Sequence, residues 1–380
     1  MKLQLLAVVD SGEIVSYRYG IETKPNLPQV SRCMEVPEEQ MTNRKVFSLI
    51  GGLEGEAAPE EQSAMLKQAK KAAIARGVSG YRFPQMGWNA LEGDAVFAFS
   101  NCYVTKKGIQ YGGFCDAKGY NLYVSPQFSS SKENAKMRFL EMMKIVEEKQ
   151  EVFLPILLAN MAALLNRPLG KRGSAPAIVL WLGGRPGSGK TELAVALGSF
   201  VNKNPRDWTE FGRKVFSAFG KPKNMVQSLA EHHGIMFLLD DVKGEKVQGQ
   251  RDNSRTCVDI CIRSVNAQKI ASAFLAGQQA LTEMNVDAGA IITGEEMKIY
   301  ESSVARIVYL DIDDFVNSEK ASAALMRLQD EPYILCDFMV HFLRYLLEKA
   351  EDVTYWAPGF PVLPVPQLQL LLLSKMSRSL

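Results

Sequence analysis

The sequence predicts an α/β protein in which a parallel sheet carries helices on both faces. An apolar run at residues 177–182 leads through a glycine-rich turn into a helical pattern at 192–200. A second apolar run, 234–241, ends in two aspartates, and a third, 288–293, ends in a threonine. Buried parallel strands are typically continuous apolar runs, with polar residues emerging at their carboxyl ends. The three runs therefore predict neighbouring strands of one sheet.

The glycine-rich turn has the pattern G-x-x-x-x-G-K-[ST], which in this strand–turn–helix context predicts a phosphate loop of the Walker A type. Glycines allow the backbone to turn so that N–H groups point at a phosphate, and the helix adds its positive end. The lysine can reach the phosphates of ATP, and the following hydroxyl can ligate Mg²⁺. A chance match in a βα turn is the alternative. The residues are Gly184, Arg185, Pro186, Gly187, Ser188, Gly189, Lys190 and Thr191.

Asp240 and Asp241 end the second apolar run. The carboxyl end of a parallel strand is where α/β sheets place ligands. We therefore predict that Asp240 belongs to the Mg²⁺ shell and that Asp241 polarises the attacking water. A strand that merely ends in an acidic turn is the alternative.

The composition excludes several other classes of protein. The 380 residues include 44 Lys and Arg against 42 Asp and Glu, so no strong field for polyanions covers the whole chain. Six scattered cysteines and three histidines predict no zinc site, and Cys257 and Cys261 are expected to be buried. The first residues are too short an apolar run for a secretory signal, and no run is long enough to span a membrane. These observations predict a cytoplasmic protein.

The chain is predicted to comprise a β-rich amino-terminal domain, an ATPase core, a helical lid and an irregular tail, with a linker at 125–134. Lysines 67, 70 and 71 and Arg76 lie on a predicted helix at 59–76, and they face either nucleic acid or solvent. Trp88 is expected to pack in the core. The four segments are 1–130, 131–315, 316–355 and 356–380. The predicted amino-terminal strands are 3–9, 13–19, 95–100, 108–111 and 121–124.

Further elements are predicted around the two acidic residues. Helices are expected at 135–149, 151–166, 224–233 and 252–265, a strand at 214–219, and mostly helix from 318 to 350. A basic loop at 243–255, containing Lys243, Lys246, Arg251 and Arg255, either contacts DNA or is simply solvated.

An extra strand between the two nucleotide motifs is typical of ring-forming ATPases. In that arrangement Thr293 senses the γ-phosphate, and Arg306, just before a fourth strand, is an arginine finger that reaches a neighbouring subunit. Two alternatives stay open. Thr293 could bond its own backbone, and Arg306 could pair with a carboxylate such as Asp311 or Asp313.

The order GRPGSGKTELA, FLLDDV, AIITGEE and SSVARIVYL resembles the replicative helicases of phages and mobile elements, which are related to superfamily 3 and minichromosome-maintenance helicases. The resemblance covers about residues 80–350. It implies an AAA+ P-loop ATPase that binds ATP and Mg²⁺ and assigns the roles given above to Lys190, Thr191, Asp240, Asp241, Thr293 and Arg306. Asp241 departs from the Glu that many ring ATPases use, and no carboxyl-terminal winged helix is evident.

Three functions are compatible with these motifs. The first is an ATP-hydrolysing DNA helicase or translocase that acts in replication of a phage or mobile element as a hexameric ring on single-stranded DNA. Residues 243–255 or 266–287 would then contact the DNA backbone. The second is a ring-forming AAA+ ATPase that remodels protein partners without unwinding DNA. The third is a small-molecule kinase or other non-ring NTPase, for which a monomer is expected.

Overall fold

The structure of the chain is a computed structural model. It describes residues 2–10, 15–24, 27–37, 64, 67, 71, 81–83, 86–91, 94–99, 102–110, 113–115, 122, 124–125, 128, 131–170, 175–198, 215–217, 222–242, 248–270, 284–295, 297, 299–315, 317–331 and 333–350. The chain divides into two compact units, Met1–Phe128 and Ser129–Leu380.

The amino-terminal unit is rich in β-strands. β1 (Lys2–Asp10), β2 (Val15–Lys24) and β3 (Leu27–Pro37) form an antiparallel sheet in that order. Six short strands follow, of which the middle four pair in chain order as an antiparallel sheet, while the outer two pair in parallel. They are β4 (Tyr81–Phe83), β5 (Gly87–Leu91), β6 (Asp94–Ala98), β7 (Tyr103–Thr105), β8 (Gly108–Gln110) and β9 (Gly113–Cys115).

Aromatic rings fill the core of the four-stranded sheet. Trp88 is buried, as predicted, and its ring meets that of Phe97 edge to face at 5.4 Å between centroids. Phe97 in turn contacts Phe99 at 5.1 Å. Such pairs add about 0.5–1.5 kcal/mol beyond the area they bury. The aromatic content of this stretch therefore serves packing.

Two amino-terminal predictions need correction or fall partly outside the described residues. Leu122 and Val124 are buried but do not lie in a strand, so the strand predicted at 121–124 is wrong for these two residues. Of the helix predicted at 59–76, residues 64, 67 and 71 are helical and exposed. Exposure of Lys67 and Lys71 is compatible with both the solvated and the nucleic-acid interpretation. Lys70 and Arg76 lie outside the described residues.

The second unit contains a five-stranded sheet with all neighbours parallel, in the order β11-β12-β15-β10-β16. β15 therefore separates β10 from β12, whereas β11, which lies between them in the chain, is at the sheet edge. A separate antiparallel pair, β13 with β14, precedes β15. The strands are β10 (Val179–Gly183), β11 (Val215–Ser217), β12 (Met236–Val242), β13 (Lys269–Ile270), β14 (Met284–Asn285), β15 (Gly289–Gly294) and β16 (Val308–Asp311).

Helices cover both faces of this sheet. Side chains of β10, β12 and β15 share one apolar cluster with two of the helices, α4 and α5 in the list below. The helices α2 and α3 also contact β12 and β15. The described helices are α1 (Lys132–Glu147), α2 (Gln150–Gly170), α3 (Lys190–Gly198), α4 (Pro222–Glu231), α5 (Gln248–Ala267), α6 (Glu301–Val304), α7 (Glu319–Asp330) and α8 (Tyr333–Ala350).

Two helix starts differ from the prediction. α1 begins inside the Ser-rich stretch predicted as a linker, because the Ser131 hydroxyl accepts a hydrogen bond from the Asn134 N–H at 3.1 Å and caps the helix. α5 begins at Gln248, so Arg251 and Arg255 lie on a helix and the loop prediction is wrong for them. Residues 243–247 lie outside the described residues.

Burial accounts for two further features of the core. The prediction that no run is long enough to span a membrane is wrong for α2, which has the length and composition to do so, but most of that span is buried within the protein, as in a core helix. Cys257 and Cys261 are buried as predicted, and burial raises the pKa of the Cys257 thiol to about 11. Both cysteines belong to the apolar cluster on the sheet.

Candidate functional site

The glycine-rich turn joins the end of β10 to the start of α3. Gly187 and Gly189 have φ values of 78° and 82°, a left-handed conformation that favours glycine. Gly184 leaves room for its neighbours: a Cβ there would lie 2.7 Å from the Ser188 hydroxyl and 3.0 Å from a carboxylate oxygen of Asp313, so these side chains would have to move. The conformation of the loop itself therefore depends on Gly187 and Gly189.

Lys190 folds back over this loop. Its ammonium donates hydrogen bonds to the carbonyl oxygens of Gly184 at 2.6 Å and Arg185 at 2.7 Å. The charge is therefore held at the loop, at the point where the first turn of α3 directs its N–H groups outward. An ammonium and unpaired helical N–H groups at one place form an anion-binding site.

Three hydroxyl and carboxylate groups from three elements meet beside the loop. Asp240 lies near the carboxyl end of β12, Thr191 lies in the first turn of α3, and Thr293 lies near the end of β15. One carboxylate oxygen of Asp240 accepts hydrogen bonds from the Thr191 hydroxyl at 2.8 Å and the Thr293 hydroxyl at 2.5 Å. The structure thus brings together the phosphate loop and the acidic strand end, which the sequence placed about 50 residues apart.

Asp241 adopts an unusual backbone conformation next to this contact. Its φ is 65°, and the pairing of β12 with β15 shifts register between Leu239 and Val242. The Asp241 N–H donates to the Thr293 hydroxyl oxygen at 3.1 Å. Non-glycine residues in this conformation are strained and are concentrated at functional sites. Thr293 therefore bonds both aspartates of the neighbouring strand, which differs from the alternative in which it bonds its own backbone.

Asp313, which the sequence analysis did not assign to the site, also contacts the loop. It follows β16, the neighbour of β10, and it accepts a hydrogen bond from the Arg185 N–H. The Arg185 guanidinium lies 3.4 Å from its other carboxylate oxygen. The signal was present in the sequence, because carboxyl ends of adjacent parallel strands lie at one edge of a sheet.

Arg306 does not lie at this site. It occupies the turn before β16, and β16 runs parallel to β10 with Val308 opposite Leu180. The turn is therefore at the amino end of the strands, whereas the phosphate loop follows their carboxyl ends, roughly 20 Å further along at about 3.3 Å per residue. The exposed guanidinium donates to the Ser302 carbonyl oxygen at 2.6 Å, and Asp313 pairs with Arg185 instead.

The segments predicted to contact DNA are partly described. The Arg255 guanidinium stacks on the Tyr300 ring, 4.0 Å from its centroid, so the side chain packs against its own protein. In the segment 266–287, β13 and β14 pair as the stem of a hairpin, with Lys269 opposite Asn285 and exposed. Residues 271–283 lie outside the described residues.

The donor set at the site fits Mg²⁺ and a nucleotide phosphate. Mg²⁺ usually binds one or two protein oxygen ligands together with water and phosphate oxygens, so a cage of three or more carboxylates is not needed. The Thr191 hydroxyl and Asp240 carboxylate supply such oxygens side by side. Among the described residues, no cluster of three or more His, Cys, Asp or Glu side chains could hold a metal alone.

No protein-family model and no curated protein matches the chain. Among solved structures, the SCCmec type IV Cch active helicase is similar with a TM-score of 0.53 at 15% identity, covering 93% of this chain and 62% of that one. A JCV helicase with bound inhibitor has 14% identity and a TM-score of 0.28, and the match covers 61% of this chain and 71% of the JCV helicase chain. A TM-score this low supports no conclusion about the fold. The Cch likeness shows a shared fold, and the chain spans 62% of that helicase's length.

Proposed function

We propose that this chain is an ATP-hydrolysing DNA helicase or translocase of the AAA+ P-loop class, which acts in the cytoplasm in replication of a phage or mobile element. The observation that carries the proposal is the meeting of Thr191, Asp240 and Thr293 beside the phosphate loop. The strand order supports it, because β15 separates the loop strand from the acidic strand. The fold shared with the Cch helicase supports it as well.

In this proposal different residues bind the phosphates, hold Mg²⁺ and activate the attacking water. The N–H groups of residues 184–191 and the Lys190 ammonium bind the phosphates, and Thr191 and Asp240 hold Mg²⁺, which neutralises phosphate charge. Asp241 polarises the attacking water. Thr293 keeps both aspartates in position through its two hydrogen bonds, and its single hydroxyl hydrogen is already donated to Asp240. Its role as a phosphate sensor therefore requires that bond to change partner.

Arg306 would act on the ATP of a neighbouring copy. Its place at the amino end of β16 keeps it away from the loop of its own chain. A guanidinium that reaches the transferred phosphate from a second subunit typically raises the hydrolysis rate by about 10³–10⁵. A closed ring of identical subunits, which we propose is a hexamer, places every Arg306 next to a neighbour's site.

DNA would be contacted by the β13–β14 hairpin. Its stem leads directly into β15, which ends at Thr293. A change at the phosphates can therefore reach the hairpin along one strand. Exposed Lys269 on the stem is suited to contact backbone phosphates, and we propose single-stranded DNA as the ligand.

The decisive experiment measures the ATPase rate with and without single-stranded DNA over a series of salt concentrations, and the oligomer mass with a non-hydrolysable ATP analogue. We expect stimulation by DNA that falls steeply with salt, and a mass several times that of one chain. Lys190→Ala is the control and should abolish hydrolysis. A ring-sized, active ATPase that ignores DNA would favour remodelling of protein partners, and an active monomer would contradict the ring.

A further inference from the structure

We propose that Asp259 and Ser303 position Arg306, so that α5 holds the arginine finger in the geometry needed by the neighbouring subunit. This inference rests on the proposed function. In it, α5 positions Arg306, a role that neither the sequence of α5 nor the nucleotide motifs indicate. The two residues act through Arg306 and are positioning residues.

The turn that carries Arg306 is short and poorly buried. α6 has four residues, and of residues 301–306 the structure buries Ser303 while the other five are exposed. So small an exposed helix has little intrinsic stability. Its geometry must therefore come from contacts with a neighbouring element.

Ser303 supplies the first contact with α5. Its hydroxyl donates to a carboxylate oxygen of Asp259 at 2.6 Å, and its carbonyl oxygen accepts the Arg306 N–H at 3.1 Å. One residue thus joins Asp259 directly to the backbone of Arg306. Hydrogen bonds to a charged acceptor are stronger than neutral ones, and the Ser303 end of this one is buried.

Ser302 supplies the second contact. The Arg263 guanidinium donates to the other Asp259 oxygen at 2.7 Å and to the Ser302 hydroxyl at 2.9 Å. The Ser302 carbonyl oxygen accepts the Arg306 guanidinium at 2.6 Å. These hydrogen bonds therefore form a closed network that begins and ends at Asp259. Its carboxylate also offsets the charge of Arg263, which would otherwise repel Arg306 across a single serine.

The face of α5 that makes these contacts is continuous. Arg255, Asp259 and Arg263 are spaced four residues apart and lie on one side of the helix. Arg255 stacks on Tyr300, just before α6, and the Asn266 amide donates to the Arg306 carbonyl oxygen at 3.4 Å. The basic residues here hold the Arg306 turn, which explains why Arg255 is not free for DNA.

The test compares Asp259→Ala, Arg306→Ala and the double variant, with Glu301→Gln as a control that changes an exposed carboxylate in the same turn. We expect Asp259→Ala to lower kcat about tenfold to a hundredfold, as small displacements of catalytic groups do. Its affinity for a non-hydrolysable ATP analogue should stay within about twofold, and Glu301→Gln should match the unmodified protein. The double variant should be no slower than Arg306→Ala, because both changes remove one function.

A rescue experiment separates positioning from loss of structure. Asp241→Asn subunits carry an intact Arg306 but a defective site, so mixing them with Asp259→Ala subunits should restore hydrolysis. Ser303→Ala, which keeps the Asp259–Arg263 pair, takes the place of Asp259→Ala if that variant does not fold. Provided that Arg306→Ala is slow, three results would each overturn the inference. They are full kcat in both Asp259→Ala and Ser303→Ala, additive losses of kcat in the double variant, and no recovery of hydrolysis in the mixed oligomers. If Arg306→Ala has normal kcat, the finger in the proposed function is wrong.

Discussion

At the scale of single residues, the Thr293 hydroxyl contacts both aspartates at the end of β12. Its hydroxyl donates to Asp240 and accepts the Asp241 N–H, although the residue itself is buried and carries no charge. It fixes the Asp240 carboxylate and the Asp241 backbone N–H, both of which belong to another strand. A buried donor or acceptor that loses its partner lowers the free energy of unfolding by about 1–3 kcal/mol, so removing this hydroxyl is expected to destabilise the site.

We expect Thr293→Val, which has nearly the same shape, to lower kcat by at least about tenfold and to raise the Mg²⁺ concentration needed for half-maximal ATPase activity. The reason is that Asp240 loses one of its two hydroxyl donors and the Asp241 N–H loses this acceptor. Thr293→Ser keeps the hydroxyl and is the control. Equal Mg²⁺ dependence in the Val and Ser variants would contradict the positioning role.

At the scale of elements, ion pairs connect α7 and α8 to the rest of the unit. Arg138 of α1 lies 3.3 Å from fully buried Asp337 of α8, and Glu141 lies 2.7 Å from Arg327 of α7. α7 also reaches the phosphate-loop helix through a Gln329–Glu192 hydrogen bond of 3.0 Å. Removing one partner of a buried ion pair leaves an uncompensated charge and costs about 3–5 kcal/mol, so the Arg138–Asp337 pair holds α8 against α1. We propose that α7 and α8 act as the lid of the ATP site.

α8 also predicts a pH dependence of stability. Burial, and then the charges of Arg344 and Arg138, lower the pKa of His341 from 6.5 to about 4. The unfolded chain therefore binds this proton more readily, so the stability that the neutral ring contributes is complete above pH 6.5 and is lost as the pH falls toward 4. His341→Asn should flatten the dependence of the unfolding free energy on pH in this window, by about 1 kcal/mol given solvent screening at the partly exposed ring.

Urea unfolding of both proteins at several pH values between 4 and 7 measures this difference. The comparison removes the contributions of the carboxyl groups, which both proteins share. Identical slopes would show that His341 is protonated equally in the folded and unfolded chains.

At the scale of the whole molecule, the second unit has two functional edges. The nucleotide residues lie at the carboxyl ends of the strands, whereas Arg306 and the hairpin stem lie at the amino ends of β16 and β15. A parallel sheet separates these edges by the length of its strands. One chain therefore cannot bring its own Arg306 to its own phosphate loop, and in the proposed ring a neighbouring subunit would supply it.

Mixing two inactive variants tests this division. Arg306→Ala should bind ATP almost normally but hydrolyse it slowly, and Asp241→Asn should fail at its own site while its Arg306 remains intact. Mixed oligomers should regain part of the activity, because the finger of one subunit serves the intact site of the other. If oligomers shown by mass to contain both variants remain inactive, the shared site is contradicted.

The sequence was sufficient for the elements whose signal is local. Apolar runs ending in polar residues predicted β10, β12 and β15, and the spacing of the loop motif predicted α3, because burial and phosphate binding impose these patterns along the chain. Cap chemistry at Ser131 was present in the sequence but was interpreted as part of a linker. The basic stretch that begins α5 was interpreted as a loop because its polar residues weaken the helical pattern.

The sequence by itself determined which residues stand at the glycine-rich turn and at the strand ends, and it thereby predicted a site for phosphate and Mg²⁺, since that chemistry depends on residue type and short spacing. The tertiary structure decided which of them meet. The Asp240 carboxylate receives hydroxyls from α3 and β15, Asp313 contacts the loop from β16, and Arg255 packs on Tyr300 rather than facing DNA. These contacts join residues 45 or more positions apart. They depend on the order of strands in the sheet, which no local pattern encodes.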